Sequence, residues 1–291
     1  MVPAKWFVVV LLGAGVGTAA AADKPVQTGK IKGITAELIA DTGSVQPGKP
    51  FTVGLTVSHD ETFHTYWKNP GIVGVPFGFT WTLPPGFSAG PIQWPVPEQV
   101  MMFHYPAYGY ERDIVLLTDI TPPEGSLPEK VTLEVQASWM ACGATCHPGS
   151  HRFSLTLPRA GESASPVDPS LVGVFSAARK ELPASLQGWE VRVESAVDDS
   201  RIRLRLRRSS KGAKVDPEGC VFFSSDGQIS STPEQVWSRE ADGSLLMVAE
   251  RSKHGPAEQR SLPGVLYCPS GWGNGGAPKY MQVNPAVSAS P

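Results

Sequence analysis

Glycine and proline interrupt this chain too often for long helices. The 291 residues include 30 glycines and 28 prolines, about one residue in five, and each favours a turn or breaks a helix. A chain cut this finely folds as short strands joined by turns. Seven β-prone runs lie between residues 34 and 157: 34–40, 51–57, 62–67, 77–83, 114–118, 131–139 and 153–157. In the fourth, Phe77, Phe79, Trp81 and Leu83 fall on one face; in the sixth, Val131, Leu133, Val135 and Ala137 do. That is the period of half-buried strands. Strands of this length and spacing predict an antiparallel β-sandwich.

Residues 160–170 are small, polar and proline-bearing, and read as a linker. Residues 171–182 are the one plausible helix, stopped by Pro183. Alternating runs at 189–195 and 202–206, with further strands at 220–223, 245–249 and 264–268, predict a second, smaller β-domain over 171–291. The expected fold class is therefore all-β: two β-sandwich domains, the first over 23–159, with one short linker helix.

The first 22 residues read as a secretory signal peptide rather than fold. Lys5 precedes an apolar stretch from Trp6 to Val16, and Ala20-Ala21-Ala22 offers a small-residue cleavage site before Asp23. The stretch is too short to span a membrane, and the cleavage point carries no cysteine for a lipid. The mature chain is thus expected to be exported to the periplasm. A formal net charge of −2 gives no basic surplus for nucleic acid. No Ser-His-Asp spacing, phosphate loop or paired-carboxylate motif supports a hydrolase.

All four cysteines, Cys142, Cys146, Cys220 and Cys268, would enter an oxidising compartment. Cys142-Gly-Ala-Thr-Cys146 follows an apolar strand and precedes the turn His147-Pro148-Gly149, a position expected to leave the thiols near a surface. Three readings stand open for it: a structural disulfide, a redox-active pair, and a soft-metal site with His147. By loop-closure entropy a five-residue ring stabilises by only about 2 kcal/mol, whereas a ring from Cys220 to Cys268 is worth about 4 kcal/mol. This suggests a long-loop structural disulfide in the second domain and an exchangeable pair in the first. The spacing C-x-x-x-C-H is one residue too long for haem attachment, and no thioredoxin-like C-x-x-C is present.

Several ordered motifs then point to one family. His64-Thr-Tyr-Trp-Lys-Asn-Pro-Gly71, Pro91-Ile-Gln-Trp-Pro-Val-Pro97, Tyr108-Gly-Tyr110 and Trp139-Met-Ala-Cys-Gly-Ala-Thr-Cys-His-Pro-Gly149 resemble the periplasmic region of the thiol:disulfide interchange family of DsbD and ScsB. Val221-Phe-Phe and Leu262-Pro-Gly-Val-Leu266 resemble its downstream domain. The three-residue spacer between the cysteines is closer to the ScsB branch. The resemblance implies an immunoglobulin-like first domain in which Cys142 and Cys146 exchange electrons. They would come from a membrane thiol-disulfide reductase hub and pass to periplasmic thioredoxin-like or disulfide-bearing proteins. It also implies an aromatic cap over the disulfide, for which Phe103 is the candidate, with Tyr66 and Tyr110 lining the site. His147 beside Cys146 has two readings: it steadies the Cys146 thiolate when protonated, or it is a solvated turn residue. The expected cofactor is none. The rival is Cu(I) held by Cys142, Cys146 and His147, with Met101, Met102 or His104. A third reading is an adaptor whose two disulfides are both permanent.

Overall fold

The computed structural model describes residues 28–161, 166–185, 187–194, 200–209, 215–256, 259–273, 276 and 278–287. The expected signal peptide, residues 1–22, lies outside them. Among the described residues no helix is long and apolar enough to cross a membrane.

The first half contains β1 (Thr28–Ile31), β2 (Ile34–Ala40), β3 (Phe51–His59), β4 (Thr65–Gly71), β5 (Gly78–Thr82), β6 (Ser88–Ala89), β7 (Glu98–Met102), β8 (Tyr105–Tyr110), β9 (Ile114–Thr121), β10 (Lys130–Cys142) and β11 (Cys146–Pro158). The helix α1 (Pro169–Lys180) follows. The second half contains β12 (Ala184–Ser185), β13 (Trp189–Val193), β14 (Arg201–Arg208), β15 (Val221–Ser224), β16 (Val236–Arg239), β17 (Leu245–Glu250), β18 (Gly264–Tyr267) and β19 (Tyr280–Val283). Among the described residues the protein is all-β apart from α1, and its first half is an immunoglobulin-like sandwich.

That sandwich pairs the sheet β1-β2-β3-β9-β6 with the sheet β11-β10-β5. Alternation builds it. Val131, Leu133, Val135, Ala137 and Trp139 of β10 are all nearly inaccessible and share one core with Val53, Leu55, Val57, Leu116 and Phe153. Trp139 stacks on Phe77 with ring centroids 5.7 Å apart. A third, smaller sheet has the order β4-β8-β7.

Helix α1 starts where Asp168 accepts a hydrogen bond from the Ser170 amide (2.9 Å) and Pro169 pre-sets the first turn. Its buried residues Phe175 and Ala178 pack with Ile39 and Leu117 of the first half, and Arg179 pairs with Asp41 at 2.5 Å. The sequence reading assigned this helix to the second domain. Its apolar face instead covers the outer face of the first sheet.

The second half has its own core between the sheets β12-β19-β18-β15 and β13-β14-β17-β16. Ile202, Leu204 and Leu206 alternate into it, and Trp272 lies at its centre, edge-on to Trp189 at 5.6 Å. Cys220 and Cys268 form a buried disulfide in this core. The halves meet where Phe223 packs against Trp67 and Tyr108.

Candidate functional site

The long hairpin of β10 and β11 pairs without interruption from Lys130↔Pro158 to Cys142↔Cys146. Residues 143–145 form its turn, closed by the Gly143 amide on the Thr145 carbonyl at 3.1 Å. The last pair of the ladder is a disulfide, Cys142–Cys146, with Cα atoms 4.1 Å apart.

Side-chain alternation decides where this disulfide faces. Odd positions of β10, such as Trp139 and Ala141, enter the sandwich core. Cys142, like Met140, therefore points out of the sandwich. It would be exposed there, as expected from the sequence, but the third sheet covers it. Tyr66 of β4, Val100 of β7 and Ala107 of β8 form one buried cluster with Cys142, against which Val73, Met102, Met140 and Cys146 pack. Cys142 is 0% accessible, whereas Cys146 is only half-buried. The expectation of two surface thiols thus fails for Cys142, because strands distant in sequence close over it.

The cover is fastened to the hairpin tip by backbone bonds. The His64 amide donates to the Cys142 carbonyl (2.8 Å) and the Cys142 amide to the His64 carbonyl (2.9 Å). This bridge directs β4 so that Tyr66, two residues on, lies over the sulfurs. Gly74 is required on the far side of that ring. Its φ is +105°, and a Cβ there would stand 2.3 Å from the Tyr66 ring.

The side chains clustered on the pair carry no charge. His64 is buried, with Nε2 3.2 Å from the Tyr66 hydroxyl. Burial lowers its pKa against the opposing pull of Glu111. Nearby, burial takes His59 down to about 4, opposed by Asp113 and the Arg112 carbonyl. His59 Nε2 lies 2.9 Å from the Thr65 hydroxyl. Burial also raises the Tyr66 phenol above its ordinary value. A neutral His–Tyr pair therefore belongs to the cover of the disulfide at neutral pH.

The other candidates are placed as follows. Phe103 has φ +57° at the tip of the β7–β8 hairpin and is 65% exposed. From that hairpin, Val100 and Met102 enter the cysteine cluster instead. Tyr110 lies in the sandwich core, fully buried, and donates to the Pro95 carbonyl at 2.9 Å. His147 is on the opposite side of β11 from Cys146: its Nε2 is 2.8 Å from the Thr145 hydroxyl and its ring is 6.0 Å from Phe63. Met101 and His104 are exposed. Among the described residues no three His, Cys, Asp or Glu side chains gather as a metal would require. Sequence reasoning missed Val100, Ala107 and Met140. Only Met140 had a local signal, since it is two residues from Cys142 on the same strand.

Residues 36–158 match the family described as "Thiol:disulfide interchange protein DsbD, N-terminal". No curated protein matches the sequence. Among solved structures, the N-terminal periplasmic domain of ScsB from Proteus mirabilis is similar at 16% identity, covering 91% of this chain and 98% of that one, with a TM-score of 0.66. At that identity the likeness is one of fold. A conserved domain protein from Bacillus anthracis is also similar, at 10% identity over 89% of this chain and 88% of that one, but its TM-score of 0.28 carries no argument.

Proposed function

We propose, on the premise that residues 36–158 are a domain of the DsbD N-terminal family, that this chain is a periplasmic thiol–disulfide exchange protein using Cys142 and Cys146. The observation that carries the reading is the asymmetry of the pair: one sulfur is sealed and its partner is half-buried at a hairpin tip. Exchange needs one reachable sulfur and one to resolve the intermediate. The exposed apolar side chains Ile72, Val75, Met101, Phe103 and Tyr105 lie on the two segments that cover the pair. They suit the apolar rim of a thioredoxin-like partner.

In the reductive half-reaction, a partner thiolate attacks Cys146 Sγ. The Cys142–Cys146 bond breaks, and Cys142 leaves as a thiolate that takes up the proton given up by the partner's second thiol. The partner's second thiolate then attacks its own sulfur in the mixed disulfide. Cys146 is released, and the partner departs oxidised, with two electrons left on the pair. Reversing these steps onto a disulfide-bearing protein returns the pair to its oxidised form. A membrane reductase hub would supply the electrons. The uncharged His64–Tyr66 pair in the cover does not stabilise a Cys142 thiolate, which favours its uptake of a proton on leaving.

A glutathione redox titration read by alkylation and peptide mass tests this. The Cys142–Cys146 pair should reduce at a potential well above that of Cys220–Cys268. Reduction of Cys220–Cys268 first would sink the exchange reading. With a thioredoxin-fold partner, Cys142→Ser should accumulate a mixed disulfide through Cys146, and Cys146→Ser should accumulate far less.

A second reading is favoured by one observation: Met102 and Met140 place two thioethers in the cluster that holds the sulfurs. Once reduced, the pair offers Cu(I) a soft set of thiolate and thioether ligands. Competition of the reduced protein with a Cu(I) chelator measures it, and equal competition by Met102→Leu and wild type would exclude a thioether's part.

A further inference from the structure

The cover of the disulfide has two faces. Tyr66 and Ala107 turn toward the sulfurs, while their neighbours Trp67 and Tyr108 turn away. On that second face sits Phe223 of the second half, with its ring centroid 4.9 Å from Tyr108 and 6.3 Å from Trp67. The sheet β4-β8-β7 is thus held between the redox pair and the second half of the molecule.

The contact falls where this sheet is weakest. β4 and β8 pair at Tyr66↔Gly109 and again at Gly71↔Ala107, with the register broken between them. Trp67, Lys68, Asn69 and Pro70 form an irregular stretch whose polar groups the ladder does not satisfy. The second half engages it residue by residue. Phe223 packs on Trp67. The Asp226 carboxylate opposes the lowering of the Lys68 ammonium by burial. Asn69 donates to the Ser224 carbonyl at 2.6 Å. Ser231 then bridges both strands past the break: its hydroxyl donates to the Pro106 carbonyl of β8 (2.9 Å) and accepts from the Ile72 amide (3.2 Å). Gly71 allows this close approach, since a Cβ there would lie 2.4 Å from the Ser231 hydroxyl.

We propose that the second half is a brace for the redox site, with Phe223 and Ser231 as positioning residues that hold the cover closed over Cys142. Tyr66 immediately precedes the irregular stretch and Val73 closely follows it, so both cover residues depend on a segment that the second half fixes. The inference rests on the exchange reading for its biological meaning, but the brace itself acts on access to the disulfide by any thiol.

The test uses the full chain and dithiothreitol as the attacking thiol. The rate at which Cys142–Cys146 opens is read by alkylation and mass. Ser231→Ala removes both bridging bonds at nearly constant volume and should speed opening roughly five- to a hundredfold, the kinetic equivalent of two lost buried hydrogen bonds. Phe223→Ala should do the same or more, and Phe223→Leu, which keeps an apolar body there, should restore most of the wild-type rate. Amide exchange in β3 and β9 should stay at wild-type protection, which separates a local brace from general loosening. Opening rates within twofold of wild type in both Ser231→Ala and Phe223→Ala overturn the proposal, as does acceleration that comes only with lost protection in β3 and β9. Partner exchange plays no part in these readings, so failure of the brace and failure of the exchange reading remain distinguishable.

Discussion

Each half of the molecule carries one disulfide, and each closes the end of an antiparallel ladder. Cys142–Cys146 extends the β10–β11 ladder, and Cys220–Cys268 lies one step beyond Val221↔Tyr267 of β15 and β18. The difference lies in what else holds the strands. β10 and β11 are joined by a tight turn and would stay paired without the bond. β15 and β18 are separated by some forty residues of chain, and the bond removes the entropy of that loop from the unfolded state. Burial follows the same division. Both sulfurs of the second pair are in a core, whereas Cys146 of the first is half-buried. A disulfide that contributes little to stability is one the protein can open and remake without unfolding.

Three measurements sharpen or break this contrast. The largest effect should come from Cys220→Ala with Cys268→Ala, which is expected to cost about 2–5 kcal/mol in denaturant unfolding. Removing Cys142 and Cys146 together should cost about 2 kcal/mol or less. Equal losses would erase the distinction.

Acid comes next, because it acts on the first half. His59, with a folded pKa of about 4, stays neutral in the fold but takes a proton near pH 6.5 when unfolded. His64 is shifted in the same direction. The His59 contribution is complete above about pH 6.5 and is lost as pH falls toward 4, about 3 kcal/mol in all, and His64 adds a slope of the same sign. Urea melts across that window should show this slope, and His59→Gln should flatten it.

The smallest stability effect concerns the cover. Phe103→Ala at the exposed tip should change stability by less than about 0.5 kcal/mol. Met102→Ala, which removes a side chain packed in the cluster, should speed alkylation of the reduced pair more than Phe103→Ala does. The reverse order would make Phe103 the cap.

Local periodicity carried the sandwich. The apolar sides of β5, β10 and β14 are visible in sequence because half-buried strands repeat every two residues. The cysteines themselves were equally visible. The cover was not, because it rests on pairings such as His64 with Cys142 that no local pattern encodes. Tyr66 and Trp67 are both fully buried in adjacent positions, so the alternation that marks other strands is absent there. Phe103 is a cap candidate only through the family resemblance, which implies an aromatic cap in the segment 101–105. The hairpin turns there with a positive φ, and the less conspicuous Val100 and Met102 point inward. The position of α1 was hidden for a similar reason: its partners Ile39 and Leu117 lie on the outer face of a sheet that does not follow it in sequence.

On the exchange reading proposed above, the uninterrupted ladder beneath Cys142 and Cys146 bears on how electrons would pass through the protein. Opening the bond leaves the strands in register, so the oxidised and reduced molecules present nearly the same outline to a visitor. Docking geometry then offers little means of telling a loaded carrier from an empty one. A visitor that has just delivered electrons is not pushed off by a change of form, and one arriving to collect them is not drawn in by one. If the exchange reading holds, net flow would be set by the difference in potential between the two clients, and reversing that difference should reverse the flow.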